Sequence, residues 1–388
     1  MALTILTAPG NNSSVSNEML FVIQEATKAV DPVTYPNYKY VLDIYVDGDL
    51  KARLRVPPDP TYSFGKFDVS VILRDYVPAY GLKANYANTT ETYDINVAYT
   101  VKLGEEYGDT LYTNLVTDSE RTAYKTYAPR PFLDSDVIGT ITDGIASNRP
   151  IITYGSKEEK WNIIPWYSNV TGVSIDYRVR KEDGSLIDQG SEVYTGTNAI
   201  NQINIGLPRV ATSLSLTPQD ITDAAYIDYD VAGSTIYYHR FICSKHPIIT
   251  LAWLNPYGGY ESQSFGLVSK KTNQTMRKDF AQLPYQINAS GEVSYDSNGV
   301  MYGSKRGYAS MVKTILSLTS HLLTDAEYTW LADMFNSPDV YFYSPTLDRW
   351  VPCTIADSNY EYRTYMNSRL TPLQFTVQFS DDYNAQYL

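Results

Sequence analysis

The side chains able to do proton chemistry are few. The 388 residues contain three histidines, His239, His246 and His321, and none stands in a local pattern that marks it as an acid, a base or a ligand. The sequence carries no HExxH, GxSxG, GxGxxG or P-loop string, so metalloprotease, hydrolase-elbow, dinucleotide and phosphate-cradle chemistry all lack their signatures. Carboxylates are plentiful, but they sit in turn-like contexts instead of the paired settings a glycosidase requires. We therefore expect no enzyme, no catalytic residue and no cofactor.

Metal chemistry is equally thin. The doublets Asp47/Asp49, Asp134/Asp136 and Asp228/Asp230 offer hard oxygen ligands suited to calcium, yet none fits an EF-hand loop, and they read as solvated β-turns with no metal. Cys243 and Cys353 are far apart and match no zinc spacing, so both read as buried free thiols.

Binding chemistry is better represented. Tyrosine is the outlier, with 36 residues against 11 Phe and 5 Trp. A phenol gives wide apolar contact with a hydroxyl that can stay wet, which favours interfaces. The candidate contact loop is Trp253, Tyr257, Gly258, Gly259 and Tyr260: two adjacent glycines permit an unusual turn that would place the aromatics outside it, although a tight strand-to-strand turn capping a core fits the same residues. Trp161, Trp166 and Tyr167 could form a sugar-stacking platform, with a core role as the plainer reading.

The elements that must hold these residues are strands. Residues 19–26 and 38–46 read as strands, Asp47-Gly48-Asp49 as a hairpin turn, and 50–56 as a strand with one wet face. A short helix at 69–76, capped by Asp68, and a strand at 93–103 complete an N-terminal β-sandwich at 1–128. Prolines 129, 131 and 150 flank an irregular linker at 129–149. Strands at 160–166, 172–181, 191–194, 199–207 and 235–244 predict a second sandwich at 150–246. In 247–388, Thr324 and Glu327 form a capping box with Leu323 and Tyr328 at staple spacing, before strands at 340–343, 350–355 and 373–379. The expected fold class is mainly β: tandem antiparallel, Ig-like β-sandwich domains followed by a C-terminal α+β domain.

The net charge of -12 opposes wrapping around nucleic acid, which needs clustered cations, so no sequence-specific nucleic-acid binding is expected. The longest apolar stretch, 248–254, is too short to cross a bilayer, and the first ten residues lack the basic start of a secretory signal; no membrane partner is expected.

Several strings resemble virion structural proteins of tailed phages infecting Bacteroidetes, including the crAss-like podoviruses: YKYVLDIYVDG at 38–48, RLRVPPDP at 53–60, GKFDVSVIL at 65–73, WLNPYGGY at 253–260, LTSHLLTDAE at 318–327 and SPDVY at 337–341. They lie toward both ends of the chain. The resemblance implies a tail or head-tail connector protein, made in the host cytoplasm and located in the virion. It implies partners that are other tail or portal proteins and further copies of the chain itself, in a cyclic homo-oligomer of about twelve copies. The competing reading is a receptor- or glycan-binding tail or head fibre protein.

Overall fold

The computed structural model describes residues 3–77, 82, 90–93, 96–126, 144–145, 147–168, 172–193, 199–231, 233–244, 246–267, 269–297, 300–356, 371–379 and 383–386. The chain is mainly β, with 54% of residues in strands and 9% helical, in several antiparallel sheets of the β-sandwich class. Most of the expected linker at 129–149 lies outside the described residues, as do Asp134 and Asp136.

Three hydrophobic cores follow one another along the sequence. The first is built around the strand Lys39–Val46, whose Tyr40, Leu42, Ile44 and Val46 are all buried because β-branched and aromatic residues recur at period two. Its hairpin partner is Asp49–Val56, and Asp47 (φ 54°) and Gly48 (φ 80°) both adopt the left-handed backbone that a two-residue hairpin turn demands. The face away from this core is laced by charge: Arg53 is bidentate on the directly opposite, buried Asp43, at 2.7 and 2.8 Å, and its guanidinium lies over the Tyr112 ring. A three-stranded sheet covers the other face, with Phe21 opposite Phe67. The predicted helix is a single turn, Ser70–Leu73, and Asp68 accepts from Ser70 N at 3.0 Å.

The second core lies between a four-stranded sheet and a five-stranded one. It contains Trp166, Tyr177, Tyr229, Ile175 and Ile227. The strand Thr90–Tyr93, from the segment assigned to the first sandwich, pairs instead with Ala199–Asn204 in this four-stranded sheet. A boundary at residue 128 is therefore crossed by strand pairing. Two short helices, Leu207–Ser213 and Pro218–Asp223, lie between the strands expected at 199–207 and 235–244.

The third core is formed by an eight-stranded sheet and the helix Asp325–Asn336. Thr324 accepts from Glu327 N, and Glu327 Oε2 accepts from Thr324 N at 2.9 Å, completing the expected capping box. Trp330, Leu331 and Met334 are the helix's buried face, and Leu323 and Tyr328 join the same core. Tyrosine proves to be a core residue here as well as a surface one: Tyr40, Tyr99, Tyr177, Tyr229 and Tyr260 are all at most 2% exposed.

The second and third cores are joined by an unusual strand. Tyr260–Phe265 reads YESQSF, yet every residue is buried, because it lies at the end of the eight-stranded sheet and against the strand Ile163–Ser168 of the second core. Its polar side chains are spent on the seam. Across it, Ser262 accepts from Ile163 N at 2.7 Å and Gln263 donates to the Tyr154 carbonyl at 2.8 Å, while Ser264 pairs with Thr250 of its own sheet at 2.9 Å.

Candidate functional site

The predicted contact loop turns inward. Trp253 and Tyr260, at the facing ends of the strands Ile249–Leu254 and Tyr260–Phe265, are 0% and 2% exposed. Asn255 Oδ1 accepts from Tyr257 N and Gly259 N, at 3.1 and 2.9 Å, and Gly258 takes φ 88°, so the glycines do make the tight turn. Gly259 is required for closeness too, since a Cβ there would stand 2.3 Å from Pro165 Cβ. Tyr257 is half-buried, and its hydroxyl donates to Asn148 Oδ1 at 2.9 Å. The expectation of an outward-facing loop is corrected: Trp253 and Tyr260 have almost no surface left for a partner, because the two cores meet at this turn. The proposed stacking residues Trp161 and Trp166 are likewise buried, at 4% and 0%. The side chain of Tyr167 is outside the description.

Beneath the seam lies a buried polar centre that local sequence does not reveal. Thr153 Oγ1 is 3.0 Å from His239 Nδ1, and His239 Nε2 is 3.4 Å from Glu159 Oε2. This hydroxyl–imidazole–carboxylate order is that of a nucleophilic relay. All three residues are 1% exposed, and the Gly155 backbone closes over the imidazole. Burial depresses the His239 pKa against the raising influence of Glu159, which holds the ring neutral. The cavity beside it, lined by Gly155, Cys243, Ser264 and His321, measures about 30 Å³, enough for a water or two. Among the described residues, the relay's own side chains are closed to solvent and the cavity beside them is too small for more than water.

A second centre surrounds Glu261. Its carboxylate accepts from Trp330 Nε1 and from Asn255 Nδ2, and Arg149 lies with its guanidinium 4.9 Å from the Trp330 ring centre. Burial pushes the Glu261 pKa up, opposed by Asn255, Arg149, Ser147 and Trp330. Arg149 itself donates to Asn162 Oδ1 at 2.8 Å and to the Ile163 carbonyl at 3.3 Å. These groups join the segments 147–149, 162–163 and 255–261 to the helix.

On the outer face of the five-stranded sheet is an open basin of about 380 Å³, lined by Arg178, Arg180, Tyr226, Asp228, Asp230 and Tyr238. Arg178 donates to Asp228 and Asp230, and Arg180 to Asp228. Asp228 and Asp230 lie on the strand Tyr226–Val231, not in a turn, and their charge is already met by guanidinium, which corrects the solvated-turn reading and leaves no free carboxylate pair for calcium. Among the described residues, no group of three or more His, Cys, Asp or Glu is placed to hold a metal ion. Cys353 is buried as expected, whereas Cys243 is exposed, which corrects that reading.

Among the described residues, an arm stands uncovered. The strands Lys270–Ala281 and Lys305–Leu323 pair from Lys270 opposite Ser317 to Ala281 opposite Lys305, and every residue of the first strand is exposed. At the far end, two small hairpins pair Gln286–Ile287 with Val293–Ser294 and Asp296–Ser297 with Val300–Met301. Met276, Phe280, Leu283, Ile287, Tyr295 and Met301 are between 44% and 77% exposed. Sequence reading missed the arm because a ribbon wet on both faces lacks the apolar alternation that marks a strand. A signal was present in the charge: residues 270–313 hold seven cations (Lys270, Lys271, Arg277, Lys278, Lys305, Arg306, Lys313) and three carboxylates (Asp279, Glu292, Asp296), in a chain of net -12.

No protein-family model matches this chain, and no curated protein matches it. Among the described residues, no helix is long and apolar enough to cross a membrane.

Proposed function

We propose that the chain is a non-enzymatic structural subunit of a bacteriophage virion, a tail or head-tail connector ring component that assembles with itself and with neighbouring tail or portal proteins. The observation that carries this reading is the Lys270–Ala281/Lys305–Leu323 arm. The outer strand of the arm is exposed throughout, and beyond the stretch of Lys305–Leu323 that also pairs with Thr371–Phe379 and Tyr383–Gln386 the arm is a two-stranded ribbon, marginally stable in water, whose exposed apolar side chains are costly unless a partner covers them. Such a ribbon fits a subunit whose fold is finished by its neighbours.

The phage strings at 38–73 and 253–341 support the same reading, and the finer architecture it carries is two tandem Ig-like sandwiches with a C-terminal α+β domain. With seven of its cations and three of its carboxylates in the arm, the chain has a surplus of sixteen negative charges elsewhere, and an acidic wall around a DNA channel would repel phosphate as the genome passes. The glycan-binding alternative needs exposed ring faces, which Trp161 and Trp166 do not offer.

The test is the mass of the purified full chain by light scattering, beside a variant in which 282–304 is replaced by a short turn. Self-association by the intact chain, reduced in the trimmed one, is the expected result. A monomer at every concentration would overturn it, and glycan hydrolysis by that monomer would replace it with an enzymatic reading.

A further inference from the structure

Of the sheet edges among the described residues, two are long, unpaired on their outer side and opposite in charge. The first is Lys270–Ala281, the last strand of the eight-stranded sheet, which carries Lys270, Lys271, Arg277 and Lys278 against Asp279 alone. The second is Leu186–Val193, the last strand of the five-stranded sheet, which carries Asp188 and no cation, with Glu182 and Asp183 in its turn; its Glu192 is already met by Arg209 at 3.5 Å. Among the other terminal strands, Asp49–Val56 is basic but has Arg53 and Arg55 already paired with Asp43 and Glu106; Thr4–Thr7, Asn12–Ser14, Thr110–Thr117, Gly144–Ile145, Ile152–Gly155 and Tyr383–Gln386 are uncharged; Phe64–Asp68 carries one charge of each sign; Thr90–Tyr93 carries Glu91 alone; and Tyr260–Phe265 is wholly buried.

Both edges are also partly apolar. Leu186 and Val193 are 46% and 59% exposed, and Met276 and Phe280 on the arm are 59% and 44% exposed. A bare strand edge presents a row of unpaired amides and carbonyls, which a second strand satisfies by extending the sheet.

Resting on the self-assembly reading above, we propose that the Lys270–Ala281 edge of one copy pairs with the Leu186–Val193 edge of a second copy. The eight residues of the acidic strand span about 27 Å, within reach of the twelve-residue basic one. Backbone pairing supplies the contact, and charge selects this edge over the basic and neutral ones. The two surfaces differ, so the contact is head-to-tail. Repeated, it closes a ring, of which reciprocal pairing between two copies is the smallest, or runs as a filament.

Hydrogen exchange on the full chain, assembled and then dissociated in high salt, tests the pairing directly. Amides in both 270–281 and 186–193 should gain protection on assembly. The triple variant Lys271→Glu, Arg277→Glu, Lys278→Glu should weaken association by about tenfold or more, and adding Glu182→Lys with Asp188→Lys should restore much of the loss. All five positions lie away from the hydrophobic cores, and an unchanged circular dichroism spectrum confirms that each variant folds. An oligomer that protects neither edge, or only one, or that ignores the charge reversal, overturns the edge pairing and leaves self-assembly standing. A chain that stays monomeric throughout overturns both.

Discussion

The Trp330 indole donates its N–H to the Glu261 carboxylate where the second and third cores meet, with the two residues 1% and 0% exposed. Asn255 donates to the other carboxylate oxygen at 2.5 Å, and the Arg149 guanidinium lies over the same indole. One acid thus joins a helix, a turn and a segment from the other side of the seam. Removing it strands several donors in a site that water does not reach. Glu261→Leu should cost about 3–5 kcal/mol, the usual penalty for breaking a buried charged network. Glu261→Gln keeps one acceptor and should cost less, about 1–3 kcal/mol. Urea denaturation measures both, as a lower midpoint at unchanged slope.

Gly259 makes a different demand on the same seam. An added Cβ would meet Pro165 Cβ at 2.3 Å and Ile200 Cγ2 at 3.2 Å, and both neighbours sit on strands fixed by pairing with each other. Neither can step aside cheaply. Gly259→Ala should destabilise by about 1–3 kcal/mol through overpacking. Were this turn an outer contact loop, the same change would alter association and leave the thermal midpoint of the isolated chain unmoved.

One buried group and one half-buried group predict opposite pH slopes. His239 is held neutral by burial, with its pKa below the ordinary 6.5. The folded state then binds fewer protons than the unfolded one, so the stability His239 contributes is present above pH 6.5 and lost as pH falls through its folded value. Asp333, beside Asn148, is pushed up by burial from 3.8 to about 6. Its contribution is fully present below pH 3.8 and is lost as pH rises through about 6. Asp333→Asn should therefore raise the thermal midpoint above pH 6, and His239→Gln should flatten the fall below pH 6.5. Thermal scans of both variants against the parent, from pH 4 to pH 8, separate the two slopes.

The thiols should react in sequence. Cys243 is exposed, while Cys353 is 5% exposed in the third core and its pKa is pushed up to about 12 by burial. The thiolate is the reactive form, so a maleimide should modify one residue quickly in the native chain and the second only after denaturant is added. Peptide mapping identifies which thiol is which. Rapid native labelling of Cys353 would contradict the packing of that core.

The parts of the fold that local sequence made readable are those where local and global demands agree. Asp47-Gly48 is a hairpin turn because the two residues tolerate the positive φ that the turn needs, and Thr324 with Glu327 starts a helix whose Trp330, Leu331 and Met334 also face the core. The helix Pro218–Asp223 went unread although its cap is as complete, because Thr217 is answered by Asp220 in place of the usual Glu or Gln, and no apolar stripe follows. Strand Tyr260–Phe265 looks like an exposed polar strand; its burial is decided by Ile163–Ser168, about a hundred residues earlier. The Thr153, Glu159 and His239 cluster is invisible for the same reason, since two of its members come from one segment and the third from another strand paired beside it. Composition misled at tyrosine, because a phenol whose hydroxyl finds a carbonyl, as Tyr40 does at Ser63, fits a core as well as a surface.

The arm makes the sharpest separation between stability and assembly. Met276 and Tyr308 are 59% and 51% exposed, and Phe280 touches the Tyr308 ring but no core residue, with 6.3 Å between ring centres. Replacing all three by Ser removes apolar surface that the isolated chain leaves in water, so its unfolding free energy should move by no more than about 0.5 kcal/mol per site. If a second copy covers that surface, burial at about 25 cal/mol per Å² makes the same three side chains a substantial part of the contact, and association should weaken by at least about tenfold. Sedimentation of the triple variant beside the parent, with denaturation curves on the same samples, reads both quantities. Equal loss of stability and assembly would mean that the ribbon folds back onto its own chain.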